Sequence, residues 1–225
     1  MLETCPQCKF PVPVTQNGQI EYTENTIFAE GGNDEMLISS LVGVRNLTIK
    51  YLTIEAHGGY TSILSNLEKI KGNSGFTKIK KLLVVADANS AGVQKRFNEI
   101  ISKLDKNEFS IPSKIGQLSN PDLGKKQCGI FLFPDNTNNG IIEDLCLKAL
   151  AHPNKISCVD EHIKCIKNKK LLTTRSSDIS KSKFHIYMST SKKPTGSIGG
   201  ATQSGELDLK SKVFDSFVGF LNLLQ

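Results

Sequence analysis

Three apolar runs in this chain end on a carboxylate: residues 26–29 (TIFA) on Glu30, 81–86 (KLLVVA) on Asp87, and 129–133 (GIFLF), past Pro134, on Asp135. Carboxylates brought together from separate strand ends repel one another. A hard divalent cation such as Mg²⁺ or Mn²⁺, which takes oxygen ligands, would offset that repulsion. In phosphoryl chemistry such a cation neutralises developing charge and activates a water. Glu30, as a partly buried carboxylate among acids, could also serve as general acid or base. The plainer reading of the same residues is that acids after strands cap helices and solvate loops, Asp34 above all. Spacing alone leaves both readings open.

Other reactive side chains are isolated. Cys5 and Cys8 have the spacing of half a zinc ribbon, but a structural zinc site needs four ligands and no second such pair exists. Zinc there would require a remote pair or a second copy of the chain in a homo-oligomer. Cys146 reads as helix-core packing. His57, before Gly58 and Gly59, falls in a loop after a strand, where it could approach a substrate, although a lone histidine is more often incidental. The run 196–200 (GSIGG) is not a phosphate-binding loop, because no strand leads into it and no Gly-Lys-Ser/Thr follows. ATP hydrolysis by this chain is therefore not expected.

The elements that must position the acids alternate. After the strand at 26–29, Asn33 or Asp34 starts a helix with Leu37, Ile38, Leu41 and Val42 on one face. A strand is predicted over 47–55 and a helix through Ile63, Leu64, Leu67 and Ile70. The run 81–86 is continuously apolar, as in a parallel sheet covered on both faces. A helix through Val93, Phe97, Ile100, Ile101 and Leu104 follows. After the strand at 129–133 comes a helix from Ile141, with Leu145 and Leu150 inward, and a C-terminal helix is predicted over 209–224. This order implies an α/β fold, a mostly parallel central sheet flanked by helices, with a basic helical and loop elaboration toward the C-terminus. Residues 1–25, with Pro6, Pro11 and Pro13, read as an irregular extension ahead of one domain over 26–225.

The chain has 225 residues, 38% of them hydrophobic and 22% charged, which excludes a disordered or collagen-like molecule. No run approaches the roughly 18–20 apolar residues of a membrane helix, so no membrane partner is expected. The start MLETCPQCKF lacks a secretory pattern, and six sparse cysteines suit a reducing, cytoplasmic location. The net charge of +6 is concentrated: residues 155–193 carry ten Lys and Arg against three acids. A localised basic segment of this kind (Lys164, Lys167, Lys169, Lys170, Arg175, Lys181 and Lys183 among its members) suits phosphate contact along a nucleic acid. A lysine-rich solvated surface is the bland alternative.

Two of these motifs resemble the TOPRIM (topoisomerase–primase) domain. Phe28-Ala29-Glu30-Gly31-Gly32 is similar to its first motif, and residues 82–89 (LLVVADAN) to its second, a strand ending in Asp-x-Asp. Residues 129–150, with Pro-Asp-Asn followed by Gly-x-x-Glu-Asp-Leu, resemble small stand-alone TOPRIM-like proteins of uncharacterised function. Those are related to the nuclease half of overcoming-lysogenization-defect (OLD) proteins and to phage-defence toxins. The resemblance spans about 26–224 and includes the tail from Gly199. It implies Mg²⁺ or Mn²⁺ held by Glu30, Asp87 and position 89, with Glu143 in support, catalysis by Glu30 and Asp87, and a nucleic-acid substrate. Asn89 departs from the pattern by removing one negative charge, which would lower metal affinity. The resemblance therefore implies either a metal-dependent nuclease or a catalytically degenerate binding module that acts with a separate ATPase partner.

Overall fold

The computed structural model describes residues 2–4, 11–13 and 21–225. Five parallel strands form the central sheet in the order β4–β3–β5–β7–β6: β3 (Asn25–Ala29), β4 (Leu52–Ala56), β5 (Lys81–Asp87), β6 (Phe109–Ser110) and β7 (Lys126–Phe133). Ahead of them β1 (Leu2–Thr4) and β2 (Pro11–Pro13) pair antiparallel. Those six residues, expected to be irregular, make a short ribbon, because Pro11 and Pro13 forbid a helix but not a strand. Cys5 and Cys8 lie outside the described residues.

β3 and β5 are buried along almost their whole length because both sheet faces are covered. Helices α2 (Tyr60–Lys69) and α3 (Val93–Lys103) close one face, with Ile63, Leu67, Phe97 and Ile100 packed on Phe28, Val84 and Ile130. The other face carries α1 (Gly32–Val44), α4 (Ile142–Leu147), α5 (Lys155–Asn168), α6 (Ile179–Ser189), α7 (Ile198–Ser204) and α8 (Asp215–Leu221). There Leu37 and Leu41 meet Ile27 and Val85, while Phe217 and Phe220 stack on Phe131 at 4.7 and 5.4 Å.

Three predicted elements are shorter than their apolar patterns, one of them the helix from Ile141, which ends at Leu147 and leaves Leu150 in an isolated bridge with Leu207. The strand expected over 47–55 begins only at Leu52, because Tyr51 takes a left-handed conformation (φ 48°) that ends the pleat. The helix expected over 209–224 starts after Ser211, whose hydroxyl accepts the Val213 N–H in a short 3₁₀ turn, Lys212–Phe214, ahead of α8. Leu209 reaches the core from a turn instead, where its carbonyl accepts Arg45 Nε at 2.7 Å. That bond and the Arg45–Asp215 ion pair fasten the end of α1 to the C-terminal segment.

The sheet order sets where chemistry can occur. β3 and β5 are neighbours, yet the chain leaves β3 into α1 on one face and β5 into α3 on the other. The crevice left at their carboxyl ends is where open α/β sheets bind ligands.

Candidate functional site

Glu30 and Asp87 stand at the mouth of that crevice. The register Ala29↔Val85 and Asp87↔Phe133 puts them at nearly the same level. Glu30 Oε2 accepts the Asp87 N–H at 3.0 Å, and Asp87 Oδ1 accepts the Ile142 N–H at 2.8 Å. The first turn of α4 is thereby pinned against the end of β5, and Glu143 comes with it. From α1 arrives Asp34, whose Oδ2 accepts the Gly31 N–H at 3.0 Å. Asp34 and Glu143 are each only 5% exposed.

The electrostatics record how close these acids are. Burial, with the charges of Glu30 and Glu143, pushes the Asp34 carboxyl up to about 7. Burial raises Asp87 well above the carboxylate range, and Asp34, Glu30 and Glu143 add to the shift. Glu143 is raised mainly by burial, against the pull of Lys181 and His185 on α6. Asp34 Oδ1 is buried with no hydrogen-bond donor. A shielded lone pair facing other carboxylates is costly unless a proton or a cation occupies it.

The other predicted residues fall elsewhere. Asp135, expected to complete the strand-end acids, turns back on its own loop and accepts bonds from Thr137 and Asn138. Burial raises it, but those bonds outweigh burial and bring it down to about 2. Its place beside Glu30 and Asp87 is filled by Asp34, read from the sequence as no more than a cap. Asn89 is left-handed (φ 51°), donates its N–H to the Gly140 carbonyl at 2.7 Å, and lines a pocket beside the acids. Asp144 caps α4 through the Ile141 N–H at 2.8 Å, and Ser180 Oγ donates to its other oxygen.

Of the two readings of His57, the incidental one holds. Its side chain is 2% exposed, wedged on the Phe28 ring at 4.2 Å, with Nε2 3.5 Å from Glu55. Its main chain supports the site: the His57 N–H donates to the Ala29 carbonyl, and the Gly59 N–H to that of Glu30 at 2.7 Å. The segment 196–200 packs against α1. It opens α7, with Ser197 Oγ accepting the Gly200 N–H, and Gly199 lets α7 lie against Met36 of α1.

The basic segment is divided. Lys183 pairs with Asp160 at 2.6 Å, Arg175 with Asp178 at 2.7 Å, and Lys155 with Glu206 at 3.7 Å. Lys164 and Lys167 are exposed on the last turns of α5, and Lys169 and Lys170 just beyond it, where cations favour the helix dipole. Of the predicted phosphate contacts, Lys181 is the one that acts on the acids. Among the described residues no group of three or more His, Cys, Asp or Glu side chains is already arranged to hold a metal ion. Cys146 is buried in the core beneath the acids, as expected, and no helix is long and apolar enough to cross a membrane among the described residues.

A doubly wound parallel sheet with carboxylates at its switch point defines an α/β protein with an acidic crevice at its strand ends. The chain belongs to the family described as "Protein of unknown function (DUF3226)", whose model matches residues 24–225. Among solved structures, it is similar to the C-terminal region of the Xanthomonas campestris pv. campestris OLD protein. That likeness has 10% sequence identity and a TM-score of 0.48, over 90% of this chain and 96% of the other. No curated protein matches the chain.

Proposed function

We propose that the protein is a TOPRIM-type phosphodiesterase that cleaves nucleic acid with the help of Mg²⁺ or Mn²⁺. The observation that carries this reading is the crowding of Glu30, Asp34, Asp87 and Glu143 at the switch point, with Asp34 Oδ1 buried and undonated. An all-oxygen donor set of this kind fits a hard divalent cation, and Glu30, Asp87 and Glu143 would hold it. When bound, the cation supplies charge neutralisation at the reacting phosphate. Asp34 orients the Gly31 backbone behind Glu30, and the Ile142 N–H orients Asp87. Lys181, which faces Glu143, contributes the positive charge that draws a phosphodiester toward the acids.

The test is cleavage of single- and double-stranded DNA and RNA in Mg²⁺ and in Mn²⁺, with Glu30→Gln and Asp87→Asn as controls. Wild type is expected to cut, and both variants to lose cleavage. Cleavage that survives in both would sink the assignment. In parallel, calorimetry should show saturable Mn²⁺ binding that weakens more than about tenfold in Asp87→Ala.

Asn89 favours a second reading, a degenerate module that binds nucleic acid or a separate ATPase partner without catalysis. A carboxylate at that position would add a ligand charge, whereas Asn89 lines the neighbouring pocket. No metal binding at millimolar concentration, with nucleic-acid binding retained, selects this reading.

A further inference from the structure

Where α4 begins, next to the residue whose N–H binds Asp87, lies a pocket of about 200 Å³. Its walls include Asn89, Ser90, Asn139, Ile141, Asp144 and Ser180. The volume falls below the roughly 300–1,000 Å³ of a site for a whole small ligand, so it suits one planar base rather than a whole nucleotide. The hydrogen bond from Asn89 N–H to the Gly140 carbonyl ties its two sides together. Among the described residues, neither the Asn89 nor the Asn139 carboxamide bonds to another group of the protein. Each therefore presents a free carbonyl acceptor and a free NH₂ donor. No Lys or Arg lines the pocket, and its one charged wall residue is Asp144, so a phosphate is disfavoured there.

We infer that this pocket takes one nucleobase of a single-stranded nucleic acid, read by Asn89 and Asn139. The inference rests on the reading of the acids as a nucleic-acid site and names how that site chooses its substrate. A neutral ring edge with paired donors and acceptors is the complement of two unpaired carboxamides. Adenine, with its N6 donor and N7 acceptor, meets a carboxamide bidentately. Ile141 supplies an apolar wall for the ring, and the next residue donates its N–H to Asp87 Oδ1 at 2.8 Å. The base-holding wall and the acids are thus consecutive along the chain. A base stacked in a duplex cannot enter such a pocket, whereas an unstacked one can.

Binding of a short single-stranded oligoadenylate, its abasic counterpart and the matched duplex is measured by fluorescence anisotropy in EDTA, where no cleavage occurs. Wild type should bind the intact strand about tenfold more tightly than the abasic one, equivalent to ~1.4 kcal/mol. Asn139→Ala and Asn89→Gly, which keeps the left-handed backbone, should remove that difference while preserving thermal unfolding. Asp87→Asn should keep it, which separates this inference from the nuclease assignment: base discrimination without cleavage supports the pocket alone. Equal binding of abasic and intact strands, binding of neither, or unchanged discrimination in both Asn variants overturns it.

Discussion

Asp34 and Asp144 occupy the same place in their helices, each closing the first turn by accepting a main-chain N–H three residues back. Their second oxygens have opposite fates. Ser180 donates to that of Asp144, while that of Asp34 is buried without a donor among Glu30, Asp87 and Glu143. The same local rule thus yields a solved cap in one helix and an unbalanced acid in the other. His57 shows a second buried titratable group, held neutral behind the site. The Asn66 amide is oriented by its bond to the Ser62 carbonyl, so it donates to His57 Nδ1 and leaves the proton on Nε2, toward Glu55. Burial pushes the ring down to about 4. Between pH 6.5 and 4 the unfolded chain therefore binds a proton that the folded one refuses. Stability falls as pH drops through this window, by about 3 kcal/mol from this residue. Urea unfolding at pH 7 and pH 4.5 should show that loss shrink in His57→Phe. Glu55, raised by burial, works in the opposite sense but is present in both proteins, as is the Tyr22 hydroxyl bonded to it. At this scale Glu30, Asp87 and Glu143 were legible because their types follow apolar runs or open a helix. Asp34 was hidden behind its capping role, and Asp135 misled because the Thr137 and Asn138 bonds that occupy it are made within its own turn.

The placement of α1 depends on α7 as much as on the sheet. Gly199 leaves room for Met36, and the Ile198 N–H donates to Asn33 Oδ1 at 3.1 Å, so α7 is fixed at the turn that presents Asp34. A methyl group at Gly199 would stand 2.9 Å from Met36 Cγ and 3.1 Å from its Cβ, which the chain cannot simply swing away. Gly199→Ala should destabilise the protein by about 1–3 kcal/mol, read by urea unfolding, with Gly219→Ala, which meets open space, as the control. Periodicity predicted the strands at β3, β5 and β7 and the helices α1, α2 and α3, because their apolar stripes are long and regular. It overran at residues 47–51 and 209–211, where apolar residues persist but Tyr51 and Ser211 end the regular backbone. It missed α7, whose two glycines and short length carry no stripe, and β6, whose two residues lie below any period.

Across the whole molecule, charge and topology work at different ends. The sheet gathers acids at the carboxyl ends of its interior strands, while most of the basic segment is spent on ion pairs or exposed on and beyond the end of α5. Lys181→Ala should therefore reduce cleavage more than joint substitution of Lys167, Lys169 and Lys170 by Ala. That triple variant, if those lysines touch phosphates, should reduce the salt dependence of single-strand affinity by a slope of about 2. An unchanged slope would assign them to solvation. The +6 charge told where to look, but not which lysine faces the acids, because that depends on how α6 packs on α4. The packing of Phe217 and Phe220 on Phe131, together with the bonds from Lys81 Nζ to the Leu223 and Gln225 carbonyls, has a consequence in time. The middle of the sheet is synthesised well before the segment that covers it. A nascent chain carrying β7 but not yet α8 exposes an aromatic sheet face, and it is in that interval that the protein most needs protection from aggregation.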